Sequence, residues 1–230
     1  MKFSTPHPIA RESLPFVVVT LGSTIVFCLL ALSSVGPRAL WWVAALCCAL
    51  ATCYVLWFFR HPRRMIAGDA DDFVAPADGK IVATGIVPHP DFPDGKALRI
   101  AIFMSLFNVH INWAPCDGRV ERVEYFPGLF LNAMDDKASE ENERKVVFLR
   151  TQRDEPVVVK LVAGLIARRI VCPLEPGDVV EKGETIGLIR FGSRVELLLP
   201  SDCKLLVQKG MSVKGRETIM ARRQYAEASV

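Results

Sequence analysis

The first 59 residues carry very little charge, and the cysteines lack the spacing of a metal site. Among residues 1–59 only four side chains are charged, namely Lys2, Arg11, Glu12 and Arg38. The seven cysteines form no CxxC pair and lie near no pair of histidines, which argues against a zinc site. The rest of the chain lacks a basic cluster interleaved with aromatic residues, so it gives no support for nucleic-acid binding. It also lacks a fixed-period repeat of the propeller or solenoid type.

The composition is too hydrophobic for an ordinary soluble protein and too charged for a fully embedded one. Of the 230 residues, 51% are hydrophobic and 23% are charged, and the mean hydropathy is +0.28. The 28 Lys and Arg residues against 25 Asp and Glu residues give a net charge of +3. Because so few charges precede residue 60, we predict an apolar appendage followed by a nearly neutral folded part.

The appendage has the pattern of a transmembrane hairpin. No charged residue occurs from Leu14 to Ser33 or from Ala39 to Phe59, and each stretch has about the 20 residues that cross a bilayer. The residues between them, 34–38, are predicted to form a tight turn. The first stretch is too long for a signal peptide and lacks a small-residue cleavage site. We therefore predict an anchor over 1–64 and a separate domain over 65–230.

Basic residues flank the predicted hairpin on the side of both termini: Lys2, Arg11, Arg60, Arg63 and Arg64. The positive-inside rule then places both termini in the cytoplasm. Scattered free cysteines fit the same reducing compartment. The prediction is an inner-membrane protein with its folded domain on the cytoplasmic side.

Residues 65–230 are predicted to form a β-rich domain of the mainly β or α+β class. Short runs rich in Val, Ile and Leu alternate with turn pairs that contain glycine, and the runs are too short for core helices. The predicted strands are 97–104, 145–150, 156–166, 168–172, 185–191 and 195–200. Only residues 131–145 read as a polar loop or short helix. Two glycine turns and a strand within 175–193 resemble the hammerhead of lipoyl and biotinyl domains, although no modifiable lysine is placed as in a carrier domain.

Four short motifs occur in one order along this domain: APADGKI (75–81), FMSLFNVHIN (103–112), DKASEENER (136–144) and RFGSRVE (190–196). A Gly-Ser pair alone is an ordinary turn. In this combination the chain resembles the phosphatidylserine decarboxylase proenzymes, in their short form. The resemblance covers essentially all of 60–210.

This resemblance implies an enzyme that makes its own cofactor. The hydroxyl of Ser193 would attack the carbonyl of Gly192, and elimination from the resulting ester would leave a pyruvoyl group at residue 193. The chain would then become a β chain, 1–192, and an α chain, 193–230. The pyruvoyl carbonyl would form a Schiff base with phosphatidylserine, which loses CO2 to become phosphatidylethanolamine. Neither a metal nor a separate cofactor is implied.

Two further catalytic residues follow from the resemblance. Asp78 matches the family's aspartate and His110 its histidine, which together activate the serine. The family often has a second histidine three residues later, where this chain has Trp113. His89 is a weaker alternative relay. Arg194, Lys80 and Asn108 are predicted to be solvated surface residues.

Two other functions stay open at this point. One is a membrane-tethered adaptor without catalysis, built on a lipoyl-like domain, in which Gly192 and Ser193 form only a turn. The other is a pyruvoyl-dependent decarboxylase of a different amine, against which the anchor argues. The predicted partners are phosphatidylserine in the membrane and the chain's own α and β pieces, with a higher oligomer left open.

Overall fold

The structure is a computed structural model that describes residues 11–33, 35–165, 169–190 and 192–224. The described residues divide into two compact units, 11–63 and 64–224.

The first unit is a pair of long apolar helices. A 3-10 turn over Arg11–Ser13 leads into α1, Leu14–Leu32, and α2 follows over Arg38–Phe58. Counted with the 3-10 turn, the helical segments are 22 and 21 residues long, enough to cross a membrane by length and composition. The two predicted apolar helices are confirmed.

The second unit is built almost entirely of strands, which confirms the predicted β-rich class. Its only described helix is the single turn α3, Ala138–Glu141, so 131–145 is largely loop. The strands are β1 Asp72–Val74, β2 Gly79–Pro88, β3 Lys96–Met104, β4 Ile111–Trp113, β5 Gly118–Phe126, β6 Arg144–Arg150, β7 Pro156–Ala163, β8 Ile170–Val171, β9 Val179–Val180, β10 Thr185–Ile189, β11 Ser193–Pro200, β12 Lys204–Leu205, β13 Ser212–Val213 and β14 Ile219–Arg222.

Eight of these strands form one antiparallel sheet in the order β13-β2-β3-β11-β7-β6-β5-β9. β11 lies inside the sheet, with β3 on one side and β7 on the other. At its first residue Ser193 lies opposite Met104 of β3 and Ala163 of β7. Two small sheets, β1-β14-β12 and β4-β10-β8, complete the unit.

The alternation of side chains along β11 separates the main core from a second face, on which Leu198 joins a smaller apolar cluster. Val195, Leu197 and Leu199 point into the main core, as expected for every second residue of a strand. Arg194 and Glu196 point to the other face of the sheet. The first residue of the strand, Ser193, is therefore on the core side and fully buried.

The segment predicted to resemble a lipoyl hammerhead contributes to two different sheets. β9 joins the edge of the large sheet, and β10 pairs with β4 and β8. The lipoyl-like arrangement stays a prediction. The predicted strands 168–172 and 185–191 are shorter, at 170–171 and 185–189, and residues 168 and 191 lie outside the described residues.

An ion pair between a buried carboxylate and a half-exposed arginine joins the start of the second unit to its end. Asp72 of β1 is fully buried and accepts hydrogen bonds from Nε of Arg222 in β14 at 2.6 Å and from Nη2 at 3.0 Å. It also accepts one from the N–H of Asp69 at 3.0 Å. The Arg222 guanidinium lowers the pKa of the Asp72 carboxyl.

We predict that Asp72→Asn lowers the free energy of unfolding by about 2 kcal/mol at neutral pH, because it removes the charge from these hydrogen bonds. Asp71→Asn is the control, since Asp71 is more exposed and pairs at 3.3 Å or more. Because the pKa is lowered on folding, the difference between wild type and Asp72→Asn should be full above pH ~4 and fade below it. Denaturant unfolding at several pH values measures the free energy of unfolding of each protein. A gap between wild type and Asp72→Asn that does not change with pH would contradict the role of the Asp72 charge.

Candidate active site

The residue directly before β11, Gly192, has an unusual backbone conformation. Gly192 has φ +54°, in the left-handed region that glycine adopts without strain. The Ser193 hydroxyl is buried and donates to Sδ of Met104, its neighbour across the sheet, at 3.3 Å. A buried serine hydroxyl thus directly follows a glycine in the left-handed conformation.

His110 is buried and contacts this glycine directly. Its Nε2 accepts a hydrogen bond from the N–H of Gly192 at 3.2 Å. Its Nδ1 lies 3.0 Å from the carbonyl oxygen of Asn108. The carbonyl of Asn108 can only accept, so Nδ1 carries the proton. The N–H of Gly192 can only donate, so Nε2 is unprotonated and the ring is neutral. The Nε2 lone pair is therefore directed at Gly192.

The backbone around His110 is fixed from two directions. Asn108 closes the preceding turn, since its Oδ1 accepts from the N–H of Ser105 at 2.9 Å and from its hydroxyl at 2.8 Å. On the other side, the carbonyl of His110 accepts from the N–H of Ile189 at 3.2 Å. Ile189 ends β10, three residues before Gly192, so one strand positions both His110 and the start of β11.

Gly164 packs against the carbonyl group of Gly192. A Cβ atom at residue 164 would lie 2.2 Å from the carbonyl oxygen of Gly192 and 3.0 Å from its carbonyl carbon. Real Cβ atoms essentially never approach other atoms so closely, so only glycine fits here. No motif in the sequence predicted a role for Gly164. The one available signal is a glycine within an apolar run, which often marks a close backbone approach.

Arg194 is also more important than the sequence indicated. It is fully buried, which corrects its prediction as a solvated surface residue. Its Nε donates to Glu196 at 2.7 Å and its Nη2 to Asp136 at 3.0 Å, and this contact lowers the pKa of the Asp136 carboxyl. A buried cation is retained because carboxylates neutralise it. The contact between Arg194 and Asp136 holds the 131–137 loop beside the start of β11. Lys80 is exposed, as predicted.

The comparisons with known proteins agree on one family. The family model for phosphatidylserine decarboxylase matches residues 52–221. The chain is similar to proteins named phosphatidylserine decarboxylase proenzyme from Cupriavidus metallidurans, Burkholderia pseudomallei and Desulfotalea psychrophila. These are 45%, 42% and 41% identical to it, each over 94% of this chain and 96% of the relative.

The chain belongs to the phosphatidylserine decarboxylase family. All of the groups that surround Gly192 lie within the matched residues. For a phosphatidylserine decarboxylase, the neighbourhood of Gly192, Ser193 and His110 is the candidate active site.

The third residue predicted for this phosphatidylserine decarboxylase site, Asp78, is held by other groups. Its carboxylate forms a two-point ion pair with the guanidinium of Arg64, and the Nη2 contact is 2.8 Å long. It also accepts from the N–H of Gly215 at 2.8 Å. The carboxylate raises the pKa of Arg64. The structure thus brings Ser193, Gly192 and His110 together and engages Asp78 in a buried ion pair.

Trp113, at the position where the resemblance implies a second histidine, belongs to the surroundings of this ion pair. Its ring centre lies 5.4 Å from Cζ of Arg64, a cation–π distance. The ring also fills the space beside Gly215, where a Cβ would lie 2.1 Å from it. Trp113 therefore contacts the cation that pairs with Asp78.

The alternative relay, His89, lies far from this site. It follows β2 at the hairpin that leads into β3, whereas Met104 ends β3. The nine residues of β3 span about 26 Å. Its ring packs edge-on against Phe92 at 5.2 Å, and burial lowers the pKa of His89. This position argues against a role for His89 at Ser193.

Proposed function

We propose that this chain converts phosphatidylserine into phosphatidylethanolamine and CO2, with a pyruvoyl group that forms from its own Ser193. The observation that carries the proposal is the environment of one peptide bond. Gly192 lies between His110, which accepts from its N–H, and Gly164, which leaves room for its carbonyl. A buried serine follows directly, within a family whose relatives are named as proenzymes.

Self-cleavage needs only groups already present at this bond. The Ser193 oxygen attacks the carbonyl carbon of Gly192, the C–N bond breaks, and an ester replaces the amide. Elimination then releases the Gly192 carboxylate, and hydrolysis of the remaining enamine consumes water and releases ammonia. The left-handed conformation of Gly192 and the tight packing at Gly164 keep the carbonyl in one orientation, which favours attack.

His110 serves as the base in this proposal. Its unprotonated Nε2 faces Gly192, and the Asn108 carbonyl holds the proton on the other ring nitrogen. A neutral imidazole in this tautomer can accept a proton from the serine hydroxyl once the ring or the hydroxyl turns. After cleavage the same nitrogen stays beside residue 193, where it can hold or return a proton.

The surroundings of Ser193 fit a pyruvoyl group. The side chain is fully buried on the core side of β11 and contacts the weak acceptor Met104. In the uncut chain the hydroxyl is thereby shielded from bulk solvent. A pyruvoyl group supplies an electron-withdrawing carbonyl that stabilises the charge left when CO2 departs.

The proposal also covers location and assembly. α1 and α2 anchor the enzyme in the inner membrane, with the catalytic unit on the cytoplasmic side, as the basic flanks indicate. Residues 1–192 and 193–230 stay together as an α/β heterodimer. Three strands of the piece that begins at residue 193 support this assembly. β11, β13 and β14 each pair with a strand that precedes Gly192 in the chain.

We predict that the purified wild-type protein runs as two fragments on a denaturing gel and decarboxylates phosphatidylserine in membranes. Ser193→Ala removes the attacking hydroxyl, so it should stay a single chain without activity. A wild-type protein that stays uncut and inactive would support the adaptor function instead. Activity on soluble amines but not on phosphatidylserine would support the other alternative.

We predict that His110→Ala slows self-cleavage by about a hundredfold or more, because it removes the base. A time course of the two fragments after synthesis measures this rate. His89→Ala is the matched control, since it removes a half-buried histidine at the far end of β3, and it should cleave normally. Full cleavage and full turnover in His110→Ala would remove His110 from both steps.

The predicted role of Asp78 can be separated from its ion pair in the same time course. Asp78→Asn and Arg64→Gln both remove the ion pair, but only Arg64→Gln keeps the carboxylate. If Asp78 serves the chemistry, Asp78→Asn should slow cleavage much more than Arg64→Gln does. Equal losses would show that Asp78 acts only through Arg64.

We predict that Gly164→Ala slows self-cleavage by about a hundredfold, because the added methyl group displaces the Gly192 carbonyl. Gly118→Ala is the control, since its Cβ would press on the carbonyl of Arg150, at 3.0 Å, at the other end of the sheet. Both variants should lose some stability in thermal unfolding. Only Gly164→Ala should cleave slowly, and equal cleavage rates would contradict the assigned role.

A further inference from the structure

Two segments contact Gly192 and a third contacts Gly164 beside it, and in each segment the next residue is a large apolar one. A Cδ of Leu106 lies 4.0 Å from the position a Cβ of Gly192 would take, and Gly164 packs on the Gly192 carbonyl. The Cβ of Ala133 lies 3.2 Å from the corresponding position at Gly164. The next residue in each segment is more than half exposed: Phe107 by 72%, Leu165 by 68% and Met134 by 54%. We call these three residues the apolar rim.

Two arginines lie within a few residues of Gly192 and Leu165 along the chain. Arg190 is half-buried two residues before Gly192, and its N–H donates to the carbonyl of the exposed Arg169 at 3.2 Å. Exposed apolar residues and arginines therefore both occur close to the start of β11. Apolar side chains beside cations are the combination that favours the interface of an anionic membrane.

The substrate places a geometric demand on this site. The reacting amine and carboxylate of phosphatidylserine belong to its headgroup, whereas its two acyl chains stay in the hydrocarbon of the leaflet. Ser193 is fully buried, so the headgroup must enter the protein while the chains remain in lipid. Gly192, directly before Ser193, is half-buried, so the headgroup can reach residue 193 from the lipid if this side of the unit lies against the bilayer surface.

We propose that the apolar rim of Phe107, Met134 and Leu165 inserts into the surface of an anionic phospholipid bilayer and presents the half-buried Gly192 to the lipid. The contact is additional to the proposed helical anchor. The proposal rests on the proposed function, because it takes phosphatidylserine as the substrate.

The test compares one substrate chemistry in two physical states. Wild type and the variants Met134→Asp and Leu165→Asp, all of the full chain, are reconstituted into phosphatidylcholine vesicles. One assay supplies long-chain phosphatidylserine within the bilayer. The other supplies dihexanoyl phosphatidylserine dissolved in water below its micelle concentration. Each variant is first checked for normal two-chain processing, which shows that it has folded.

We expect each aspartate variant to lose about tenfold or more of its kcat/KM on the bilayer substrate, because a charge resists insertion. On the dissolved substrate it should stay within about twofold of wild type. Met134→Leu should keep both activities. Val179→Asp is the matched control, since Val179 is 58% exposed on β9 at the far edge of the sheet, and it should also keep both.

Equal losses on both substrates, or no loss on either, would overturn the proposal. A change of oligomeric state in Met134→Asp or Leu165→Asp would assign the rim to a contact between copies and would also overturn it. A wild-type protein inactive on both substrates would instead contradict the proposed function. The two failures are therefore distinguishable.

Discussion

The position of β11 inside the antiparallel sheet is the constraint on which the rest of this structure depends. The strand pairs along its length with β3 on one side and along its first six residues with β7 on the other. Its first residue is Ser193, so the peptide bond proposed to be cleaved lies at the start of a strand that is paired on both sides. Cleavage there would create two new chain ends without removing a strand pair. The sheet would therefore hold the two pieces together and keep the new end at residue 193 in place.

The same constraint explains why the neighbours of Gly192 are small or precisely hydrogen-bonded. Once β11 is fixed between its partners, the Gly192 carbonyl must lie against β7, where only a glycine at 164 leaves room. Its N–H meets His110, which is held by the Asn108 turn and by β10. On the opposite face, Arg194 ties the 131–137 loop to the strand. Packing thus leaves the peptide that is proposed to be cleaved few alternative positions, which favours an intramolecular attack.

Local patterns in the sequence predicted the two apolar helices and the β-rich class of the second unit. The family resemblance predicted part of the candidate site. Uncharged runs of about 20 residues indicated α1 and α2, and short apolar runs indicated β3, β6, β7 and β11. The motifs that carry Ser193 and His110 predicted residues that the fold brings together. The contacts of Gly164, Arg194 and Asp78 were not predictable, because each depends on a residue distant in sequence. Composition gives no information on such pairs, and the burial of an arginine runs against its usual preference.

The intact mass of the small chain, measured on purified, denatured protein, shows directly whether Ser193 becomes the cofactor. We expect a fragment that begins at residue 193 and is lighter than the corresponding serine peptide by one ammonia, with no free amino group at its start. This result would show that Ser193 was both the nucleophile and the source of the cofactor. An uncut chain, or a small chain that begins with an intact serine and a free amine, would contradict the account.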